Sequence, residues 1–195
     1  MPTSGQVKAL RIGICGLPDS VLNARTQHWA FKLGWSQEVL ARRINSAPGI
    51  LCLTPQRVDA NLDSLRVLGF SSEEVIGMAT RRPSLLTANW GTKLRLDKWH
   101  FIFTVVQLSL SAICANPVVL EASLRNKLVP RWQFLCDLAS KGALTHHAPV
   151  YLLGCIEHVN QSDHQFARYF DKPDVDMVYN DAYKQACWEK YIQEQ

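Results

Sequence analysis

Five side chains in one short stretch could hold a metal: His146, His147, Cys155, His158 and His164. Cys155 and His158 stand three residues apart, a spacing that sets two ligands on one helical face, and zinc takes both thiolate sulfur and imidazole nitrogen. A tetrahedral site wants a second closely spaced pair. His146 and His147 are adjacent, so on a helix they point in different directions and chelate poorly. The stretch therefore reads as metal-free, and no cofactor is implied. The chain has no Gly-rich phosphate loop, no Gly-x-Ser-x-Gly elbow and no paired acids, so the sequence predicts no enzyme.

A second chemistry recurs along the chain. Arg57, Lys93, Arg95, Lys98, Arg125, Lys127 and Arg131 cluster at similar distances past successive prolines, as phosphate contacts repeated once per structural unit would. The guanidinium fork holds a phosphate with two donors, so Arg57, Arg125 and Arg131 lead the set. For each cation the competing role is a solvated side chain or a local ion pair. The doublets Arg42-Arg43 and Arg81-Arg82 fall at the ends of expected helices, where positive charge complements the helix dipole, and offer a second binding face. Most tryptophans read as core, whereas Trp90, beside Gly91 and outside the apolar stripes, is the candidate for stacking on a base.

The charge distribution supports a polyanionic partner. Residues 1–131 carry 16 basic against 8 acidic side chains, a balance of +8, whereas residues 132–195 carry 5 against 9, a balance of −4. Summed positive potential concentrates phosphate backbones near a surface. The acidic segment after Phe170, with Asp171, Asp174, Asp176 and Asp181, suits docking to a protein instead.

Repeated sites need repeated elements to hold them. Pro48, Pro83, Pro117 and Pro149 are spaced by 35, 34 and 32 residues, and each is followed three residues later by Leu51, Leu86, Leu120 or Leu152. Ile44, Ala79 and Ile113 stand four residues before the first three prolines. Pro18 with Val21 reads as a degenerate fifth start. A period of this size signals units that bury their apolar faces only by stacking.

Within a unit, Ser71 and Glu74 have capping-box spacing, and Pro83 stops the first helix. Thr54-Pro55 opens a second helix with Val58, Leu62 and Leu65 on one stripe, and Gly69 supplies a left-handed stop. The stripe continues through Leu94, Phe101 and Val105, and then through Leu124, Leu128, Leu135 and Leu138. Pro130 inside that last pattern predicts a kink or a fresh helix start. In the third unit the phase puts Ile102-Phe103 where the Leu-Gly turn is expected.

The fold class that results is all-α, a helical-repeat superhelix or solenoid. Residues 1–20 read as an N-terminal extension or degenerate repeat start, 21–140 as repeats, and 141–195 as a helical cap with an acidic tail. The stretch from Phe101 to Ala115 is too interrupted and too short to span a bilayer, so no membrane is expected. Six scattered cysteines without a Cys-x-x-Cys pair suit buried, reduced thiols. Lys8 and Arg11, with no acid before Asp19, are compatible with the end of a transit peptide.

The stretches "LGFSSEEVIGMATRRPSLL" and "ANPVVLEASLRNKLVPRWQFL" resemble the repeats of the mitochondrial transcription termination factor (mTERF) family, with "SLRNKLVPR" the most specific piece. By repeat phase the resemblance covers roughly residues 18 to 138. It implies a superhelix of three-helix repeats that binds nucleic acid, DNA or RNA, in a mitochondrion or chloroplast, without a cofactor. The chain departs from the pattern at the missing third-unit turn and in having only about four units. The steps implied are transcription termination or regulation, RNA processing or ribosome assembly. The alternative is a helical scaffold for protein partners, such as a structural constituent of an organellar ribosome.

Overall fold

The computed structural model describes residues 16–88, 90, 92–144, 162–170 and 179–194, and every regular element among them is helical. Two compact units divide at Leu96/Asp97, inside the stretch expected to be one array.

In the first unit, α1 (Asp19–Leu33) starts directly after Pro18 and ends at Gly34, whose φ of 63° lets its N–H and that of Trp35 turn back onto the carbonyls of Phe31 and Ala30. Ser36 caps α2 (Gln37–Ser46) by accepting the Val39 N–H, and Pro48–Cys52 forms a 3-10 turn. Thr54 caps α3 (Pro55–Val67), with Pro55 in the first turn. Gly69, at φ 102°, ends this segment as expected, and the Phe70 N–H bonds back to Leu65. α4 (Ser72–Arg81) then begins with the capping box complete: the Ser71 Oγ accepts from Glu74 N–H, and a Glu74 carboxylate oxygen accepts from Ser71 N–H. Pro83–Thr87 is the second 3-10 turn. The two Pro-led turns pack on each other, and their anchors Leu51 and Leu86 are fully buried.

The helix α5 (Lys93–His100) crosses the unit boundary and widens into a π turn at Phe101–Val105. The following link corrects the sequence reading. The turn expected at Ile102-Phe103 lies four residues later, at Val106-Gln107-Leu108-Ser109, where Gln107 takes the left-handed place of glycine at φ 58°. Ser109 caps α6 (Leu110–Ala115), which has 6 residues against 10 in α2 and 10 in α4. The π turn delays the end of one helix, the next is shortened by a turn, and Pro117 thereby keeps its phase.

The 3-10 turn Pro117–Leu120 again buries its leucine completely. A π turn at Leu124–Leu128, capped by Ser123, then runs into α7 (Val129–Ser140) with Pro130 in the first turn. Pro130 thus opens an α-helical segment as one of the two expected outcomes, and the wider ring before it accommodates the missing donor. The second unit also contains α8 (Asp163–Tyr169), with a Ser162–Gln165 capping box, and α9 (Asp181–Gln193), capped by Asn180 and packed on α7. Phe134, Phe166, Phe170, Tyr179 and Tyr183 join these elements edge to face, with centroids such as Phe134–Tyr179 at 5.3 Å and Phe134–Phe166 at 5.8 Å.

Cys114, Cys136 and Cys187 are thiols, but only Cys187 among these three is buried, and Cys52 is exposed and disulfide-bonded, against the expectation of buried, reduced thiols. Pro149 and Leu152 lie outside the described residues.

Candidate nucleic-acid interface

Each Pro-led turn leaves its leucine carbonyl pointing inward, where an unpaired oxygen would be costly. One polar side chain per repeat answers it. Arg25 Nη1 donates to the Leu51 carbonyl at 3.0 Å, the Asn61 amide donates to Leu86, and Lys98 Nζ donates to Leu120 at 2.9 Å. Lys98 was expected to reach phosphate; it is buried and satisfies the backbone instead. The sequence carried a signal for this. Arg25, Asn61 and Lys98 are nearly in repeat phase, each set into an apolar helix face.

Arg131 is the second correction. It is completely buried, bonds Asp163 at 3.1 Å and lies 4.6 Å from the Phe166 ring centroid. A guanidinium committed to a carboxylate and an aromatic face inside the core cannot meet a phosphate. Trp90 is the third: its ring is buried, its indole N–H donates to the Leu85 carbonyl at 3.1 Å, and Arg95 covers it at 5.1 Å. It packs in the core, where its face is covered by Arg95.

The remaining cations fall at one structural place. Arg57 lies in the first turn of α3, its own N–H bonded to Thr54 Oγ1. Arg95 lies in the first turn of α5, half-buried on Trp90, and the Lys93 side chain is outside the described set. Arg125 lies in the first turn after Ser123 and is exposed, with Lys127 half-buried nearby. Burial and the Arg131 charge lower the Lys127 pKa. A cation at a helix start opposes the macrodipole, so helix stability does not account for this recurrence. It does add to the exposed N–H groups and positive potential that attract an anion there. Among the described residues, neither Arg57 nor Arg125 pairs with a carboxylate.

The arginine doublets are not equivalent, as the sequence reading had them. Counted from the caps Ser36 and Ser71, Arg42 matches Gly77, and Arg81 sits one turn later. The Arg81 side chain leans back, and its Nη1 lies 3.7 Å from where a Gly77 Cβ would stand, which returns its charge to the turn that Arg42 marks. Arg42 itself is exposed and 3.9 Å from Glu38.

A charged network closes the second unit. Asp163 receives Arg131 and, at 2.7 Å, Lys184, which also pairs with Asp181. Partial burial pushes the Asp163 carboxyl up, but the bonds from Lys184 and Arg131 outweigh it and hold its pKa below the usual carboxylate range. The Tyr183 hydroxyl donates to Asp137 at 2.6 Å, and burial together with that bond keeps it protonated far into the alkaline range. These contacts join α7 to α8 and α9, and no local spacing announced them.

His146, His147, Cys155 and His158 lie outside the described residues, and His164 is exposed in α8. Among the described residues, no group of three or more His, Cys, Asp or Glu side chains is placed to hold a metal. No helix among them is long and apolar enough to cross a membrane.

Repeats of two helices and a Pro-led 3-10 turn, with cations in the first turns of the second helices, define the class: an all-helical repeat protein. The mTERF family model matches residues 14–167, and the chain belongs to that family. Its proteins are helical nucleic-acid binders, typically organellar and generally without catalytic activity. No curated protein matches the sequence.

Proposed function

We propose that this protein binds DNA or RNA mainly through phosphates, in a mitochondrion or chloroplast, and acts in transcription termination or regulation, RNA processing or ribosome assembly without catalysis. The observation that carries this reading is the recurrence of Arg57 and Arg125 at helix starts, exposed and, among the described residues, without a carboxylate partner. Phosphate contacts position a chain without reading bases, so little sequence discrimination follows. A second reading, a scaffold for protein partners such as a structural constituent of an organellar ribosome, is favoured by Phe31 and Val67. These are 89% and 87% exposed at the ends of α1 and α3.

Titration of labelled duplex DNA, structured RNA and single-stranded RNA at several salt concentrations tests the proposal. With about four cations contacting a duplex, the log-log salt slope should be about −3.6, from about −0.9 per phosphate neutralised. Replacing Arg57 and Arg125 by alanine should bring it to about −1.8. No binding to any of the three at low salt overturns the proposal in favour of the scaffold. A slope unmoved by the double substitution places the contact on the face of Arg42 and Arg81.

A further inference from the structure

We infer that α9, which lies beyond the residues that match the family, completes a phosphate pocket in which Arg125 binds the anion and Gln185 and Trp188 are positioning residues for its guanidinium. The inference deepens the nucleic-acid reading and rests on it for the identity of the phosphate's owner, a nucleic-acid backbone.

Three observations converge. Arg125 Nη2 donates to Gln185 Oε1 at 3.1 Å while its guanidinium carbon lies 5.9 Å from the Trp188 ring centroid. Gln185 Nε2 in turn donates to Glu189 at 2.7 Å, which leaves the amide oxygen facing Arg125. The guanidinium is therefore held on one edge and one face, with donors left over on the other edge.

The second observation is the chemistry of those partners. An amide and an indole are neutral, so they fix geometry without cancelling charge. Arg131 and Lys184, in the same unit, are bound to carboxylates and are neutralised. Arg125, at the surface, is held in a way that keeps its full charge for an external anion. A long side chain ordered in advance loses less freedom on binding, which is worth about 2- to 10-fold in affinity.

The third is the space. Arg125, Asn126, Asp181, Lys184 and Gln185 line a cleft of about 210 Å³, several times the roughly 30 Å³ of a water. Asp181 is occupied by Lys184 across the same cleft, so the charge that remains unmatched is that of Arg125. The acidic C-terminal segment also suits docking to a protein; within it, the neutral side chains Gln185 and Trp188 of α9 contact Arg125 of the repeats.

The test uses the full chain and two probes, inorganic phosphate and a labelled duplex or single-stranded RNA. Trp188→Ala and Gln185→Ala should each weaken nucleic-acid binding about 2- to 10-fold, no more than Arg125→Ala, and Trp188→Phe should retain most of it. In an Arg125→Ala background, Trp188→Ala should cost nothing further. Gln185→Glu separates positioning from mere packing: the new carboxylate pairs with Arg125 and cancels its charge, so binding weakens more than in Gln185→Ala, while the bond to Glu189 is replaced by a like-charge pair that lowers thermal stability slightly. Binding by Gln185→Glu equal to or tighter than the unsubstituted chain overturns the inference, as does an additive loss in the double variant. In parallel, phosphate should shift the NMR signal of the Arg125 Nε–H group, and that shift should vanish in Gln185→Glu. If the chain binds neither DNA nor RNA while phosphate still shifts this signal, the nucleic-acid reading falls and the pocket stands. Without a shift the pocket falls, whatever the nucleic acids do.

Discussion

Replacing either partner of the Arg131–Asp163 pair removes the same contact, yet the two substitutions should differ sharply. Arg131 has no exposed surface, whereas the Asp163 side chain is 34% exposed and has Lys184 as a second partner. Asp163→Asn therefore strands a buried guanidinium without its counter-charge. Removing one partner of a buried pair typically costs about 3 to 5 kcal/mol, and the partial exposure of Asp163 puts this case at the lower end, about 3 kcal/mol. Arg131→Met leaves Asp163 with Lys184 and fills the space over Phe166 with an apolar chain, so it should cost less than about 1.5 kcal/mol or nothing. Urea titrations followed by circular dichroism measure both, and at this chain length about 3 kcal/mol corresponds to a melting shift of roughly 6 to 12 °C. The pH dependence has a fixed sign. The folded-state pKa of Asp163 is depressed, so its contribution is fully present above the ordinary carboxylate value of about 4 and is lost as the pH falls through the folded value. The stability gap between the unsubstituted chain and Asp163→Asn should accordingly close in acid. A loss for Arg131→Met equal to or larger than that for Asp163→Asn would refute the reasoning, as would a gap that persists in acid.

Lys98→Met should destabilise by about 1 to 3 kcal/mol, because the buried Leu120 carbonyl loses its donor; the salt slope of nucleic-acid binding should stay unchanged, whereas a phosphate contact would flatten it. Gln107→Gly should stabilise by about 1 kcal/mol in urea, since glycine takes the left-handed conformation without a Cβ penalty; a loss of stability would show that the Gln107 side chain matters more than its backbone. Leu86→Ala should cost about 2 to 5 kcal/mol, as expected for a fully buried leucine in a packed turn, and a neutral result would remove Leu86 as an anchor.

The sequence by itself determined the repeat: the Pro-x-x-Leu anchors, the serine and threonine caps, the left-handed stop at Gly69 and the all-helical class. These signals act between residues at most a few positions apart, where backbone hydrogen bonding leaves little choice. It missed the turn at Gln107 because glutamine is no turn signal, and a π turn had moved the position by one helical turn. Tertiary structure alone decided which cations face solvent. Arg125 and Arg131 are six residues apart, less than two helical turns, so they fall on different faces, and nothing local says which face is buried. Arg131 meets Asp163, 32 residues away, and is consumed by the core; Arg125 meets Gln185, 60 residues away, and is held at the surface with its charge intact. Such partners are chosen by how α8 and α9 pack on α7, which no local period encodes.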